Sequence, residues 1–339
     1  MKYRYIGRSG LRVSPIALGT MTFGTHSSKK EAFAIMDKAY HAGINFFDTA
    51  EMYPVPPKAK LVGLSESIIG EWLKDKPRDS LIIASKVAGA ASGWFVPPVR
   101  HGLTAIDRFH IERAVENSLK RLQTDYLDLY QIHWHDTIVP IEESLEAMNR
   151  LIESGKVRYL GSSNDTAYGV TKANITAKYK GIKRFESVQN NFSLLNRRDL
   201  DALAEVYTQE KISLLPYSPL AGGVLTGKYN AQTMPEPARF TSYLKLNDKR
   251  ILGIAHRFLN DRTLASVTKY MEIAKQADMS ITTLAAAWSM SFDFVASTII
   301  GARKAEHLDD SLAALKIDLD DEILNACEQV HQEIMYPMG

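Results

Sequence analysis

The chain has a single cysteine, Cys327, among 339 residues, which excludes an intramolecular disulfide and fits a reducing compartment. It has no surplus of either charge, since 41 Lys and Arg face 39 Asp and Glu. Long-range attraction to nucleic acid or to an anionic membrane therefore has no source, although local basic pockets are still allowed. No apolar run reaches the ~18 residues that suggest a membrane helix. The start, MKYRYIGRSG, carries no apolar signal segment, so the expected compartment is the cytoplasm. The Asn-x-Ser/Thr triplets at Asn164, Asn174 and Asn191 then read as chance matches. Also missing is a G-x-G-x-x-G turn after an early strand, the mark of a doubly wound dinucleotide-binding sheet. Hydrophobic residues at 45% and charged residues at 24% leave an ordinary globular chain and exclude disordered, collagenous and low-complexity classes.

What is present is alternation. Eight short apolar runs have strand character: PIALGT from Pro15, INFFDTA from Ile44, LIIASKV from Leu81, YLDLYQIH from Tyr126, VRYLGSS from Val157, SVQNNFS from Ser187, ISLLPYS from Ile212 and ASTIIGA from Ala296. Helical spacing fills the intervals: Ile111, Ala114, Val115, Leu119 and Leu122 share one face, as do Ile141, Leu145, Met148 and Ile152. Near-continuous apolar strands separated by crossover helices predict a parallel sheet buried on both faces. Eight such units predict an α/β fold of the (β/α)8 TIM-barrel type.

Residues 2 to 14 read as two short strands around Ser9-Gly10, an N-terminal β-hairpin plug over the barrel's bottom. Leu319, Ile323, Cys327, Val330 and Ile334 keep helical spacing and predict an extra C-terminal helix packed across the barrel. The longest interval between strands runs from Tyr217 to Ala296, and its PEPAR segment with Gly222, Gly223 and Gly227 reads as a long functional loop. No linker interrupts the chain, so a single domain over 1–339 is expected, and no heptad or apolar surface stripe marks an oligomer interface.

In such a barrel the residues that follow each strand converge on one rim. Asp48 ends INFFD, Tyr53 follows in the loop, Lys86 ends LIIASK and His133 ends LDLYQIH. Each alone has a bland reading: a Lys after an apolar run snorkels to solvent, an Asp starts a loop, a His is a satisfied structural residue. Together at neighbouring strand ends they suggest proton donation. A free tyrosine has a pKa of about 10, too high for an efficient acid at neutral pH. A buried Lys86 ammonium is expected to lower it, with Asp48 compensating the lysine's desolvation and His133 donating a hydrogen bond to a substrate oxygen. Such a set polarises and protonates a carbonyl. None of these groups delivers a hydride, so a nicotinamide or flavin cofactor is implied.

In this order GINFFDTAEMY, LIIASK, LDLYQIHW, GSSN, QNNFS, PYSPLAGGVLTGKY and IIGAR resemble the aldo-keto reductase family, over nearly the whole chain. AEMYPVPP, SLKRLQTDYLDLYQIHW and FSLLNR look like its bacterial Tas-like branch. The resemblance places the family's catalytic tetrad on the same Asp48, Tyr53, Lys86 and His133, with Tyr53 as general acid. It implies NADPH bound in an extended pose without a glycine turn. Ser163, Asn164 and Gln189 would hold the nicotinamide carboxamide, and Tyr217 would stack on the ring. Ser218, Leu220, Gly222 and Lys228 would line the pyrophosphate, with Gly301 in the GAR motif. Arg239 and Arg303 are candidates for the 2′-phosphate, which the donor fork of a guanidinium matches. His307 and Ser311 depart from the Gln and Asn of many relatives at the adenine contacts. Met52, Trp94 and Trp134 are candidate walls of a substrate pocket, and the segment from Gly89 to Asp107 is the expected seat of substrate choice.

Two other readings fall away on the residues. Gly222, Gly227 and Lys228 approach a phosphate-binding P-loop, but Tyr229 stands where Ser or Thr would hold magnesium, and Pro235 and Pro237 oppose the helix that should follow. His133, His135 and Asp136 suggest part of a metal site whose remaining ligands are missing from other strand ends, so no metal is expected. The expected activity is NADPH-dependent reduction of aldehydes or ketones to alcohols, on a small-molecule carbonyl substrate. The alternative is a cofactor-binding partner or sensor resembling the β subunits of potassium channels, which generally carry Asn where this chain has His133.

Overall fold

The computed structural model describes residues 1–56, 58–89 and 104–338. The chain opens with an antiparallel hairpin, β1 (Arg4–Tyr5) and β2 (Arg12–Val13). Alternation follows: β3 (Ile16–Gly19), α1 (Lys29–His41), β4 (Phe46–Asp48), α2 (Leu64–Leu73), β5 (Ile82–Val87), α3 (Arg108–Leu122), β6 (Leu127–Ile132), α4 (Ile141–Glu153), β7 (Val157–Ser163) and α5 (Ala167–Lys180). Next come β8 (Phe185–Gln189), α6 (Leu203–Glu210), β9 (Ser213–Leu214), α7 (Arg239–Leu244), α8 (Lys249–Phe258), α9 (Asp261–Gln276), α10 (Ile281–Met290), β10 (Thr298–Ile300), α11 (Asp309–Ala313) and α12 (Asp321–Glu333).

The eight strands β3 to β10 form one parallel sheet, in which β10 pairs with β3 and each strand from β3 to β8 pairs with the next in sequence, leaving β9 and β10 at the edges. Single bridges from Leu214 to Val295 and from Tyr217 to Ile299 bring the two edges together. The expected eight-stranded barrel is thus present, with its plug. Ile6, Leu11 and Val13 of the hairpin pack on Ala17, Phe46, Ile82 and Leu129 inside the sheet, where they exclude water from the bottom. Alternation along the strands sends Phe47, Ile83, Tyr130 and Ile132 outward, where they meet the buried faces of the helices.

Local signals explain where helices start. Ser28 and Glu31 form a reciprocal capping box at α1, and Asp107, Thr166, Ser280 and Asp320 cap α3, α5, α10 and α12 through their side chains. The amphipathic faces expected on α3 and α4 are the buried ones: Ile111, Ala114, Val115, Leu119 and Leu122 on α3, and Leu145 and Met148 on α4.

Some boundaries differ from the sequence expectation. The sixth barrel strand starts at Phe185 rather than Ser187, and the seventh shrinks to Ser213–Leu214, because the chain turns at Pro216 and Ser218 adopts a positive φ of 54°. The interval from Tyr217 to Ala296 is only in its first part a loop, since α8, α9 and α10 fill the remainder and Asn260 caps α9. The C-terminal helix α12 exists, with Cys327 and Val330 buried, but it lies on the flank against α9 and the turn at Arg197, whose guanidinium donates to Cys327 O at 2.7 Å. Tyr168, Ile175 and Tyr179 form an exposed apolar stripe along α5 that hydropathy alone does not reveal, because basic residues interrupt it. Among the described residues no helix is long and apolar enough to cross a membrane.

Candidate active site

Period-two alternation decides which side chains enter the barrel. On β4 it turns Phe46 and Asp48 inward, on β5 Ala84 and Lys86, and on β6 Leu129 and Gln131, with His133 next in the same phase. Apolar side chains therefore occupy the lower layers, and polar ones the layer nearest the C-terminal ends of the strands. Lys86, fully buried, donates to Asp48 Oδ2 at 2.5 Å and to Thr49 O at 2.8 Å. Asp48 Oδ1 accepts from Gln189 Nε2 at 2.8 Å and from Gln131 Nε2 at 3.2 Å, and Gln189 also donates to Gln131 Oε1 at 3.2 Å. This carboxylate is saturated by protein donors. Gly161 makes room for the arrangement, since a Cβ there would lie 2.6 Å from Ser187 Oγ and 3.2 Å from Gln131 Cγ.

Above the ion pair sit Tyr53 and His133. The Lys86 ammonium lies 5.0 Å from the centre of the Tyr53 ring, and the Tyr53 and His133 rings stand edge to face at 5.7 Å. Tyr53 is held by its loop: Glu51 N donates to Lys86 O, the Glu51 carboxylate accepts from Ala88 N at 2.6 Å, and Gly63 N donates to Tyr53 O at 3.0 Å. Trp134 stacks on His133 with ring centres 3.9 Å apart, and Met52 packs with Tyr53. The sequence candidates for one rim are thus neighbours in space. Trp94 lies outside the described residues, as does most of the segment from Gly89 to Asp107.

The electrostatics correct one expectation. Burial, and after it the Asp48 charge, push the Tyr53 hydroxyl well above its usual pKa, and the opposing influence is Arg239 rather than Lys86. The physical reason is the pairing itself: the Lys86 charge is largely matched by Asp48 at contact distance, leaving little net field for the phenol. Tyr53 is therefore firmly protonated. Burial also lowers the Lys86 pKa, with Asp48 opposing. His133 is held well below its usual value by burial and by the Lys86 charge, so its imidazole is neutral, and its buried Nδ1 has no partner.

The next strand ends extend the rim. Ser163 Oγ donates to Gln189 O at 2.8 Å, Asn164 Nδ2 donates to His133 O at 2.9 Å, and the Tyr217 hydroxyl donates to Asn164 Oδ1 at 2.7 Å. Burial lifts the Tyr217 pKa to about 12. Beyond Tyr217 the chain makes a tight turn with positive φ at Ser218, Ala221, Gly222 and Gly223. A Cβ at Gly222 would strike Phe240 at 2.6 Å, so only glycine lets this backbone lie so close to α7. Lys228, Arg239 and Arg303 surround the turn closely enough that the two arginines lower the Lys228 pKa, after burial. Among the described residues, no carboxylate is in salt-bridge contact with any of the three, and Arg303 Nε is buried without a partner. Gly301 and His307, both exposed, lie on either side of Arg303 in the chain, whereas Ser311 is buried in α11.

Two contributors escaped the sequence reading, Gln131 and Glu51. Strict alternation back from His133 finds Gln131; for Glu51, a charged residue between Asp48 and Tyr53, no pattern gives the orientation.

Fold and rim together define the class, an oxidoreductase built on a parallel α/β barrel. The model of the aldo/keto reductase family matches residues 15–332, and the chain belongs to that family. It is similar to protein tas of Escherichia coli, at 38% identity over 99% of each chain. It is also similar to the uncharacterized oxidoreductase YrpG of Bacillus subtilis, at 35% over 97% of this chain and 96% of that one. A probable voltage-gated potassium channel subunit beta of Oryza sativa is 33% identical over 98% and 97%.

Proposed function

We propose that the protein reduces aldehydes or ketones to alcohols with NADPH, Tyr53 giving the proton. The observation that carries this reading is the buried Lys86–Asp48 pair beneath a protonated phenol and a neutral imidazole, at one end of the barrel. The residues present fit the cofactor. Three cations with no acidic partner among the described residues and an orphaned Arg303 Nε suit phosphate oxygens, and the turn at Gly222 and Gly223 admits a close backbone approach. Ser163, Asn164 and Gln189 line the end of the cleft nearest the tetrad and would hold the carboxamide, Tyr217 would face the ring, and Ser218, Leu220 and Lys228 would lie along the pyrophosphate. Nicotinamide, when bound there, supplies the hydride.

The chain's own residues handle the oxygen. His133 orients a carbonyl toward Tyr53, and the phenol, kept protonated by burial, releases its proton only when negative charge develops on that oxygen. Lys86, held by Asp48 beneath the ring, fixes the floor on which the phenol sits, and its nearly matched charge leaves the proton on Tyr53 until the oxygen opposite becomes the stronger base. Met52 and Trp134 bound the space over Tyr53 and favour an apolar or aromatic carbonyl compound. No nucleic-acid or membrane partner is part of this reading, and the cytoplasm is the compartment it fits.

The second reading, a cofactor-binding partner or sensor, draws on the likeness to the potassium channel subunit beta. Loss of NADPH absorbance in the presence of small aldehydes, dicarbonyls, sugars and quinones separates the two. Steady turnover with any of them supports the enzyme, and tight NADPH binding without turnover supports the partner.

A further inference from the structure

The loop between β3 and α1 contributes a side chain that neither the tetrad nor the resemblance assigns. His26 sits in a tight turn in which Gly24 N donates to Ser27 O and His26 N to Thr22 O. That turn is fastened to the segment after β10, as Thr22 Oγ1 donates to Ala302 O at 3.2 Å and Ser27 Oγ to Arg303 O at 3.1 Å. On its other side the imidazole meets Tyr243 of α7, ring centres 6.5 Å apart, and Tyr243 lies one helical turn from Arg239. His26 Nε2 is buried and has no hydrogen-bond partner.

Among the described residues, the groups found to act on this imidazole are neutral or cationic: Tyr243 and Arg239 from α7, and Arg303 from the segment after β10. Glu31 of α1 lies within electrostatic reach of Arg303, but its carboxylate accepts from Ser28 N and Oγ in the α1 cap. A buried ring nitrogen without a partner, within the electrostatic reach of two guanidinium groups, has the chemistry of an unfilled anion ligand.

We propose that His26 is a third ligand, with Arg239 and Arg303, for the phosphomonoester of NADPH, and that it takes up a proton as the dianion binds. The inference rests on the NADPH reading above. Burial and the charges of Arg239 and Arg303 keep the imidazole of the free protein neutral, below its usual pKa. A dianion between the same three groups reverses that field and favours the imidazolium. NADPH binding then strengthens as pH falls toward neutrality, and NADH, which lacks the phosphomonoester, shows no such dependence.

The test measures NADPH and NADH binding by fluorescence at about pH 6.5 and about pH 8.5, above the phosphate's own second pKa of about 6. Wild-type affinity for NADPH should fall roughly tenfold across that interval while NADH affinity stays level, as expected for one linked proton. His26→Gln should bind NADPH with little pH dependence and several-fold more weakly at the lower pH. Calorimetry of the unaltered protein in two buffers of different ionisation enthalpy should register uptake of up to about one proton per NADPH, independent of any variant. A His26→Gln protein with the wild-type pH dependence, or binding without proton uptake, overturns the proposal. Failure of both dinucleotides to bind overturns the cofactor reading and this inference with it.

Discussion

Two polar regions lie side by side on the rim, and they are built on opposite rules. In the barrel mouth the Lys86 ammonium, the Asp48 carboxylate and the Gln131 and Gln189 amides satisfy one another over distances of 2.5 to 3.2 Å. In the neighbouring cleft Lys228, Arg239 and Arg303 bring together three cations beside the neutral His26, with Arg303 Nε and His26 Nε2 buried and unbonded. A region complete within the protein is organised before any ligand arrives, which suits groups that must act at a fixed distance. A region left incomplete stores a demand for the missing charge. On the proposed function, the contrast sorts the rim into a part for the chemistry and a part for binding.

The severest way to break that contrast is to remove a partner from the completed region. Asp48→Asn leaves the Lys86 ammonium buried and unpaired, at an expected cost of about 3–5 kcal/mol in denaturant unfolding. The double variant with Lys86→Met should recover much of it. A loss below about 1 kcal/mol in the single variant would mean that the pair is not the matched unit described here. Next in size, Tyr53→Phe should lower turnover at least ~100-fold while the dissociation constant for NADPH stays nearly unchanged. Retained activity would place the acid elsewhere.

In the cleft the expected loss is one of binding. Arg303→Ala should weaken NADPH by about 1.5–3 kcal/mol, the worth of hydrogen bonds to a charged group, and leave NADH almost unaffected. Equal losses for the two would remove the 2′-phosphate assignment. Acid should expose the buried imidazoles: His133 and His26 have folded pKa values below the usual one, so the unfolded chain binds their protons first as pH falls. Stability conferred by a neutral His133 ring is therefore present above about pH 6.5 and declines below it, by up to ~1.4 kcal/mol per pH unit, and the half-buried His26 adds less. Denaturant titrations from neutral to mildly acidic pH should show the decline, and His133→Asn should reduce its slope. The smallest effect is expected for Gln131→Leu. It removes one of two amide donors to Asp48, costs about 1 kcal/mol, and should lower kcat several-fold with NADPH affinity intact.

The strands were legible because each is a compact apolar burst ended by a polar residue, as in LIIASK, and the proximity of Asp48, Tyr53, Lys86 and His133 was legible because they end or follow neighbouring strands. Gln131 was harder to read, since polarity inside a barrel strand announces itself only once the inward phase is fixed by His133. The short seventh barrel strand escaped because ISLLPYS has strand composition throughout, while the turn at Ser218 is a matter of backbone angles. The behaviour of Tyr53 could not be read at all from residue types. It depends on whether the nearby ammonium is already matched, and that is decided by the 2.5 Å contact between Lys86 and Asp48.

The hairpin at the other end has a bearing on all of this. Ile6, Leu11 and Val13 stop the barrel from below, so the medium around Lys86 and Asp48 is set from both ends of the cylinder. Trimming the first dozen residues would hydrate the pair from underneath without disturbing a single group at the mouth. A damaged floor would then surface as a titration anomaly at Lys86, well before any strand came apart.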